Sequence, residues 1–166
     1  MTTDGTRTVA DLLEGERIAV FTTTAPDGTL MSRPMARQEV GFDGDLWFFA
    51  ARDSRKVAHV TANPQVDVAT AGSDSWVSLT GHAVVVDDLA KKRQLWNAGV
   101  GAWFPDGPDD AGTVLLRVDA ASAEYWDDPG GEDRHRAQLR QGQGHRHALL
   151  GRGERDRRTL TRHGPS

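Results

Sequence analysis

Alternating apolar and polar residues indicate that much of the chain is β-strand. Residues 17–24 (RIAVFTTT) are rich in β-branched and aromatic residues, and residues 29–37 resume an extended pattern after the turn Ala25-Pro26-Asp27-Gly28. A second turn, Asp43-Gly44-Asp45, separates residues 38–42 from residues 46–50. The first half of the chain is therefore predicted to be an antiparallel meander.

Short helices are predicted between the later strands. Ser54 is a suitable N-cap for a helix over residues 55–62, which Asn63-Pro64 would end. Five to seven strands with regular turn signals favour a small closed or half-closed β-barrel over a parallel α/β sheet. The other predicted elements are helices over residues 9–16 and 87–97, and strands over residues 65–71, 76–87 (with a bend or bulge at Gly81), 113–119 and 123–127.

Composition limits the class of protein and the chemistry that it can perform. The chain has 166 residues, 37% of them apolar, which fits one domain of ordinary size. No apolar run approaches the roughly 20 residues of a membrane helix, and residues 1–16 lack a secretory pattern, so a cytoplasmic location is expected. Cysteine is absent, which excludes disulfides, thiolate nucleophiles and iron–sulfur clusters. Redox chemistry would therefore need a bound cofactor.

The charge of the chain divides near residue 127. Residues 1–127 contain 19 acidic and 11 basic residues, a net charge of −8, whereas residues 128–166 contain five acidic residues and nine arginines, a net charge of +4. The acidic body argues against nucleic-acid binding by the domain. The segment 128–166 is rich in Arg, Gly and His and has few large apolar residues, so it is predicted to be a disordered tail that follows a domain over residues 1–127.

A candidate anion site lies where a predicted strand meets a predicted helix. Ser54, Arg55 and Lys56 combine a capping hydroxyl, two cations and unpaired helix N–H groups, which suits a phosphate monoester. The alternative interpretation is a solvated helix start. On the preceding strand, Pro34 cannot donate to a β-ladder, so this strand is predicted to lie at a sheet edge or to contain a bulge. Arg33 and its neighbours would then be free to face a ligand. The alternative interpretation is an edge strand whose proline only discourages aggregation.

The aromatic residues and the histidines are weaker signals. Tryptophans occupy core or interface positions more often than ligand sites, although planar ligands favour them. His59 and His82 have no partners at metal-ligand spacing, so structural roles are expected and no metal site is predicted. Hydrolase and P-loop motifs are absent and no side chain stands out as a general acid or base. The tryptophans are Trp47, Trp76, Trp96, Trp103 and Trp126.

The order of these segments resembles a known superfamily. The runs RIAVFTTTAPDGTLMSRPM, LWFFAARDSRK, ANPQVDVA, WVSLTGHAVVVDD and AEYWD are together similar to the pyridoxamine 5'-phosphate oxidase-like FMN-binding split barrels, and most similar to their general stress protein 26 branch. The resemblance covers residues 8–127. It implies a mainly β fold, a six-stranded antiparallel split β-barrel with short flanking helices, that forms a homodimer with FMN in the clefts between subunits.

The resemblance also implies roles for particular residues. Arg55 and Lys56, supported by Ser54, would hold the FMN phosphate. Trp76 occupies the position of a residue that reaches FMN from the second subunit, and Trp126 matches a tryptophan that contacts the flavin. The residues that would line the isoalloxazine and ribityl groups are Arg33, Pro34, Met35, Phe49 and Ala50.

Departures from the oxidase pattern argue against vitamin B6 oxidation. Gln38 stands where the oxidases have a lysine, and the Tyr-x-x-x-Arg pair that grips the substrate phosphate is missing from residues 91–103. The expected function is therefore a flavin-dependent oxidoreductase that uses a small-molecule electron donor or acceptor. The alternatives are a non-catalytic flavin carrier or redox sensor in stress response, or an F420-dependent reductase. FAD is an alternative to FMN as the cofactor.

The C-terminal tail carries two competing interpretations. Relatives in the superfamily usually end in an apolar, Ala/Lys-rich helix, and shifting the reading frame of residues 133–151 by one base yields such an amphipathic helix. A frameshift near Glu132 would explain the change in composition. The alternative is a genuine basic tail that binds an anionic partner.

Overall fold

The computed structural model describes residues 3–73, 75–127, 133–142 and 145–150. Strands dominate, and the helices are short. In chain order the elements are α1 (Thr3–Leu13), β1 (Ile18–Thr24), β2 (Leu30–Ala36), β3 (Asp45–Ala51), α2 (Arg55–Ala62), β4 (Gln65–Ala71), β5 (Ser75–Val86), α3 (Leu89–Leu95), α4 (Ala98–Trp103), β6 (Thr113–Asp127), β7 (Asp133–Gly142) and β8 (His145–Leu150).

Strands β1 to β6 form a curled antiparallel half-barrel. Their order is β2-β1-β4-β5-β6, and β3 pairs with the first half of β6. A single bridge between Arg37 and Phe48 joins the end of β2 to β3, so the sheet curls round until its two edges meet at that point. The predicted split-barrel architecture is confirmed, and Pro34 lies on β2, at one end of the strand order, as its missing N–H predicts.

The barrel interior is packed with apolar side chains from each of the strands β1 to β6. Alternate residues of β1 and β3 point inward, and the rings of Phe21 and Phe48 meet edge to face with their centroids 5.2 Å apart. A second apolar cluster lies outside the barrel, where α3 and α4 cover β3 and β6. It is formed by Phe49, Leu95, Val100 and Leu115.

The β5–β6 ladder contains the irregularity predicted at Gly81. The register of the two strands shifts between Thr80 and Gly81, and a Cβ atom at Gly81 would lie 2.2 Å from the carbonyl oxygen of Asp119. Because no side chain fits there, glycine allows the strands to approach closely enough to bend. The bend lets the 15-residue β6 pair with β3 by its first half and with β7 by its second.

Several predicted boundaries differ from the structure. Helix α1 covers Thr3–Leu13 rather than residues 9–16, and residues 113–127 form one continuous strand rather than two. Residues 38–42 are not a strand, and the buried Gln38 side chain accepts a hydrogen bond from Asn97 Nδ2. Asn97 in turn caps α4, which lies within residues 98–112, where the Gly- and Pro-rich composition predicts a loop.

The C-terminal segment contains two strands where disorder was expected. Strand β7 pairs with residues 122–127 of β6, and β8 pairs with β7. Backbone pairing to an existing edge needs no apolar side chains, so it can order residues whose composition predicts disorder. The prediction of disorder for residues 128–132, 143–144 and 151–166 concerns positions outside the described residues, and the frameshift hypothesis stays a prediction.

None of the helices that the structure describes is long and apolar enough to span a membrane.

Candidate functional site

The predicted anion site lies at the first turn of α2. Ser54 is the N-cap residue, with an extended backbone (φ −73°, ψ 149°), and its hydroxyl makes no capping hydrogen bond. Within the described part of the chain, the Ser54 Oγ atom is buried and has no hydrogen-bond partner. A buried hydroxyl without a partner is costly, so its position suits a ligand that supplies the missing acceptor.

Arg33 reaches this site from β2. Its Nη1 atom donates to the carbonyl oxygen of Phe21 at 3.1 Å and to Thr23 Oγ1 at 2.9 Å. These bonds fix one corner of the guanidinium. A guanidinium has five N–H donors, so the others remain available for an anion.

Three cations therefore share one site. Burial lowers the pKa of Arg33, and the nearby Arg55 lowers it further; burial and then Arg33 lower the pKa of Lys56. Across residues 3–73 and 75–127, the ion pairs involve Arg17, Arg52, Lys92 and Arg93 instead. Arg33, Arg55 and Lys56 take part in none of those ion pairs, and repulsion among the three cations favours a bound anion at this point.

The segment that leads into α2 is held rigidly from outside the barrel. Arg52 donates from its backbone N to Gly112 O at 2.8 Å and from its side-chain Nε to Ala111 O at 2.7 Å, and it forms an ion pair with Asp87. The buried Lys92 Nζ donates to Thr113 O at 2.9 Å and to Asp110 O at 3.2 Å. The Arg52 bonds tie the backbone two residues before Ser54 to residues 111–112, and the Lys92 bonds hold the two residues on either side of that pair.

A buried histidine lies beneath the cations. His59 Nδ1 is 3.0 Å from Thr23 Oγ1, the hydroxyl that accepts from Arg33. Both His59 and Thr23 are buried. No group of three or more metal-ligating side chains is found in the described residues.

Two tryptophans line a groove on the opposite face of the sheet. Trp76 lies directly across from Trp126 in the β5–β6 ladder, and they share a cavity of about 740 Å³ with Ile18 and Val20 of β1. Neighbouring residues of a strand point to opposite faces, so Val20 faces this groove while Phe21, the cross-strand partner of Arg33, faces the core.

Comparison with known proteins places the chain in a family. The family model described as "Pyridoxamine 5'-phosphate oxidase like" matches residues 4–142. The chain belongs to this family. The match extends beyond residue 127 and includes β7.

Relatives of known sequence or structure agree with this membership. Protein bli-3 of Neurospora crassa is 26% identical over 129 residues, which are 70% of this chain, and the chain spans only 62% of that relative's length. The general stress FMN/FAD binding protein of Xanthomonas citri is 29% identical, with a TM-score of 0.67, covering 80% of this chain and 94% of that one. A pyridoxamine 5'-phosphate oxidase-related, FMN binding protein of Nostoc punctiforme shares the fold, with a TM-score of 0.70 at 16% identity, covering 92% of this chain and all (100%) of that one.

The residues expected to bind flavin in this oxidase-like protein fall into three groups. Arg33, Ser54, Arg55 and Lys56 lie together in the cation site. Trp76 and Trp126 share the groove on the other face. Pro34 pairs with Val20, a residue of that groove, but does not itself line it. The remaining three pack into apolar clusters: Met35 and Ala50 inside the barrel, and Phe49 against Trp96 and Phe104. The predicted flavin contacts of these last three would have to use their backbone or partly exposed atoms.

Sequence reasoning did not assign Thr23 or His59 to the site. A signal was present for His59, which is four residues beyond Arg55 and therefore lies on the same face of α2. Thr23 shares the inward face of β1 with Phe21, and a hydroxyl at such a position indicates a buried polar contact.

Proposed function

We propose that this protein binds FMN as a homodimer and acts as a flavin-dependent oxidoreductase. The observation that carries the proposal is the cluster of Arg33, Arg55 and Lys56 beside the unpartnered Ser54 hydroxyl. The relatives that are described as FMN-binding or FMN/FAD-binding support the choice of a flavin.

A flavin phosphate matches the chemistry of this cluster. A phosphate monoester carries nearly two negative charges and three acceptor oxygens, which correspond to the donors of Ser54, Arg55 and Lys56 and the remaining N–H groups of Arg33. When bound, FMN supplies hydride or electron transfer at its ring system. The chain's own residues would bind the phosphate end and orient the ring system relative to the sheet.

The proposed homodimer follows from the separation of the two predicted residue groups. In one protomer the cations and the tryptophan groove lie on opposite faces of the β1–β2 ladder. The groove face also exposes large apolar residues: Ile18 is 57% exposed, Val20 46% and Trp76 42%. A second copy would bury this apolar surface and could bring its Trp76 and Trp126 towards a flavin held by the cations of the first copy.

Oxidation of pyridoxamine phosphate is not part of the proposal. Gln38 occupies the place of the oxidase lysine, and its side chain is buried, accepting a 2.9 Å hydrogen bond from Asn97 Nδ2. A neutral side chain used in this way cannot pair with a substrate phosphate. The electron donor or acceptor is therefore expected to be a different small molecule.

Flavin titration of a double variant tests the binding site. Replacing Arg55 and Lys56 with alanine removes two charge-assisted hydrogen-bond donors, each worth about 1.5–3 kcal/mol, so FMN affinity should fall at least a hundredfold. Riboflavin, which lacks the phosphate, should bind the variant and the wild type equally. The matched control replaces Lys91 and Arg93 of α3, which removes the same charge and should leave FMN binding intact. Equal FMN affinity in all three proteins would contradict the proposed site.

Reduction of the bound flavin separates an enzyme from a carrier. The FMN-loaded protein is mixed without oxygen with NADH or NADPH, and flavin absorbance is followed in the presence and absence of an artificial electron acceptor. Bleaching and turnover at a catalytic rate would support an oxidoreductase. A stable yellow protein that neither donor reduces would indicate a carrier or sensor. A protein that binds F420 but not FMN would show that the cofactor is F420.

A further inference from the structure

Two buried residues outside the predicted binding set link Arg33 to the helix that carries the other two cations. Thr23 on β1 is 1% exposed and His59 on α2 is 7% exposed. We propose that Thr23 and His59 are positioning residues that hold the Arg33 guanidinium towards the phosphate of the bound flavin. This inference rests on the proposed function, because it assumes that the cation site receives a phosphate.

Two hydrogen bonds join the three side chains of Arg33, Thr23 and His59. A guanidinium can only donate, so Thr23 Oγ1 accepts from Arg33 Nη1 at 2.9 Å. The Thr23 hydroxyl also shares a hydrogen bond with His59 Nδ1, 3.0 Å away. A hydroxyl can donate one hydrogen bond and accept two, so it can serve both neighbours at once. The hydroxyl therefore links a strand to a helix.

Such a link is needed because the three cations repel one another. Arg33 comes from β2, whereas Arg55 and Lys56 come from α2. None of the three forms an ion pair with a carboxylate among the residues that the structure describes. Without a restraint, the Arg33 side chain would move away from the other two in the absence of ligand. The bonds from Arg33 to Phe21 O and Thr23 Oγ1 oppose that movement.

The position of His59 in α2 makes the restraint specific for the site. His59 follows Arg55 by four residues and Lys56 by three, so all three lie on neighbouring parts of one helix surface. The bond from His59 to Thr23 therefore sets the distance between the helix that carries two cations and the strand that contacts the third. One carboxylate lies nearby: hydrogen bonds from Thr29 lower the pKa of Asp27, in the β1–β2 turn, and His59 lowers it by a smaller amount.

Substitutions at Thr23 and His59 test this role through the preference for FMN over riboflavin. Thr23→Val keeps the shape of the side chain and removes the hydroxyl, whereas Thr23→Ser keeps the hydroxyl. His59→Leu removes the ring nitrogen Nδ1 that bonds Thr23, whereas His59→Asn places an amide group near that position. We expect Thr23→Val and His59→Leu to lower FMN affinity on the order of tenfold with riboflavin affinity unchanged, and Thr23→Ser and His59→Asn to stay within about threefold of wild type.

A second background shows whether Thr23 acts through Arg33. In a protein that already carries Arg33→Ala, adding Thr23→Val should cause no further loss of FMN affinity, because the guanidinium that it positions is gone. The inference would be overturned if Thr23→Val and His59→Leu weakened the binding of FMN and riboflavin equally. It would also be overturned if both variants kept the wild-type preference for FMN. A wild-type protein with no preference for FMN over riboflavin would instead contradict the proposed function itself. If His59→Leu does not fold, the Thr23 and Arg33 variants still decide the question.

Discussion

Asp67 is an acidic side chain whose surroundings disfavour its charge. It lies half-buried on β4, and its Oδ1 accepts a hydrogen bond from Ser78 Oγ at 2.8 Å. Burial raises the pKa of Asp67, the Ser78 bond lowers it in part, and the nearby Glu124 raises it again. A carboxyl with a raised pKa in the folded state stabilises the fold below its unfolded pKa, near 4, and loses that stabilisation as pH rises through the folded value.

Asp67→Asn should therefore stabilise the protein at neutral pH. The amide oxygen can still accept the Ser78 bond, while the cost of burying a charge disappears. Urea unfolding should give a higher free energy of unfolding than wild type at pH 7, and the difference should narrow as pH falls towards about 4.

Asp27→Asn is the matched control, because the pKa of Asp27 is shifted in the opposite direction to that of Asp67. Hydrogen bonds from Thr29 lower the pKa of Asp27, so its ionised form stabilises the fold above the unfolded pKa and the stabilisation is lost as pH falls. This variant should be less stable than wild type at pH 7 and converge with it in acid. If the stability of both variants, relative to wild type, changed with pH in the same way, burial would not be what shifts the pKa of Asp67.

At the scale of elements, the long β5–β6 ladder organises the barrel. Strand β5 pairs along its whole length with β6, and the register of the two strands shifts between Thr80 and Gly81. Strand β6 pairs with β3 by residues on one side of this shift and with β7 by residues on the other. A residue without a side chain thus lies where the ladder is irregular.

Gly81→Ala should destabilise the fold. The added Cβ would lie 2.2 Å from Asp119 O, a backbone atom that cannot move without breaking the ladder. We expect a loss of about 1–3 kcal/mol in the free energy of unfolding, the usual cost of overpacking. Chemical denaturation followed by tryptophan fluorescence measures it.

Gly41→Ala is the control for that substitution. A Cβ at Gly41 meets nothing within 4 Å and Gly41 is exposed, so stability should change little. Equal stability of wild type and Gly81→Ala would mean that the ladder tolerates the extra atom and that the bend has another cause.

At the scale of the whole molecule, the apolar face that carries Trp76 and Trp126 predicts the assembly. Val20→Glu places a charge in the groove, so the proposed dimer should dissociate. Sedimentation at micromolar concentration should show a dimer for wild type and a monomer for Val20→Glu, together with weaker FMN binding. Val84→Glu is the control, because Val84 is also exposed on β5 (40%) but lies outside the groove. A wild-type monomer that still binds FMN would rule out a site shared between subunits.

Local patterns in the sequence were sufficient for most of the strands and turns, and they pointed to the candidate anion site. Alternation of apolar residues depends only on the two faces of a sheet, which is why β1, β2, β4 and β5 were predicted close to their observed bounds. Gly81 was predicted as a bend because a glycine inside a strand commonly marks a bulge or the close approach of another backbone. Ser54, Arg55 and Lys56 are adjacent, so their chemistry was visible without a fold.

The tertiary structure alone decided which distant residues act together. Arg33 meets Arg55 and Lys56 only because β2 and α2 are brought to the same end of the barrel, and Thr23 and His59 gain significance only through that meeting. Pairing to an existing strand edge likewise ordered β7, whose composition argues for disorder. Hydrophobic alternation and adjacent charges are local properties that a sequence displays directly, whereas cross-strand register and long-range hydrogen bonds depend on which surfaces the folded chain brings into contact.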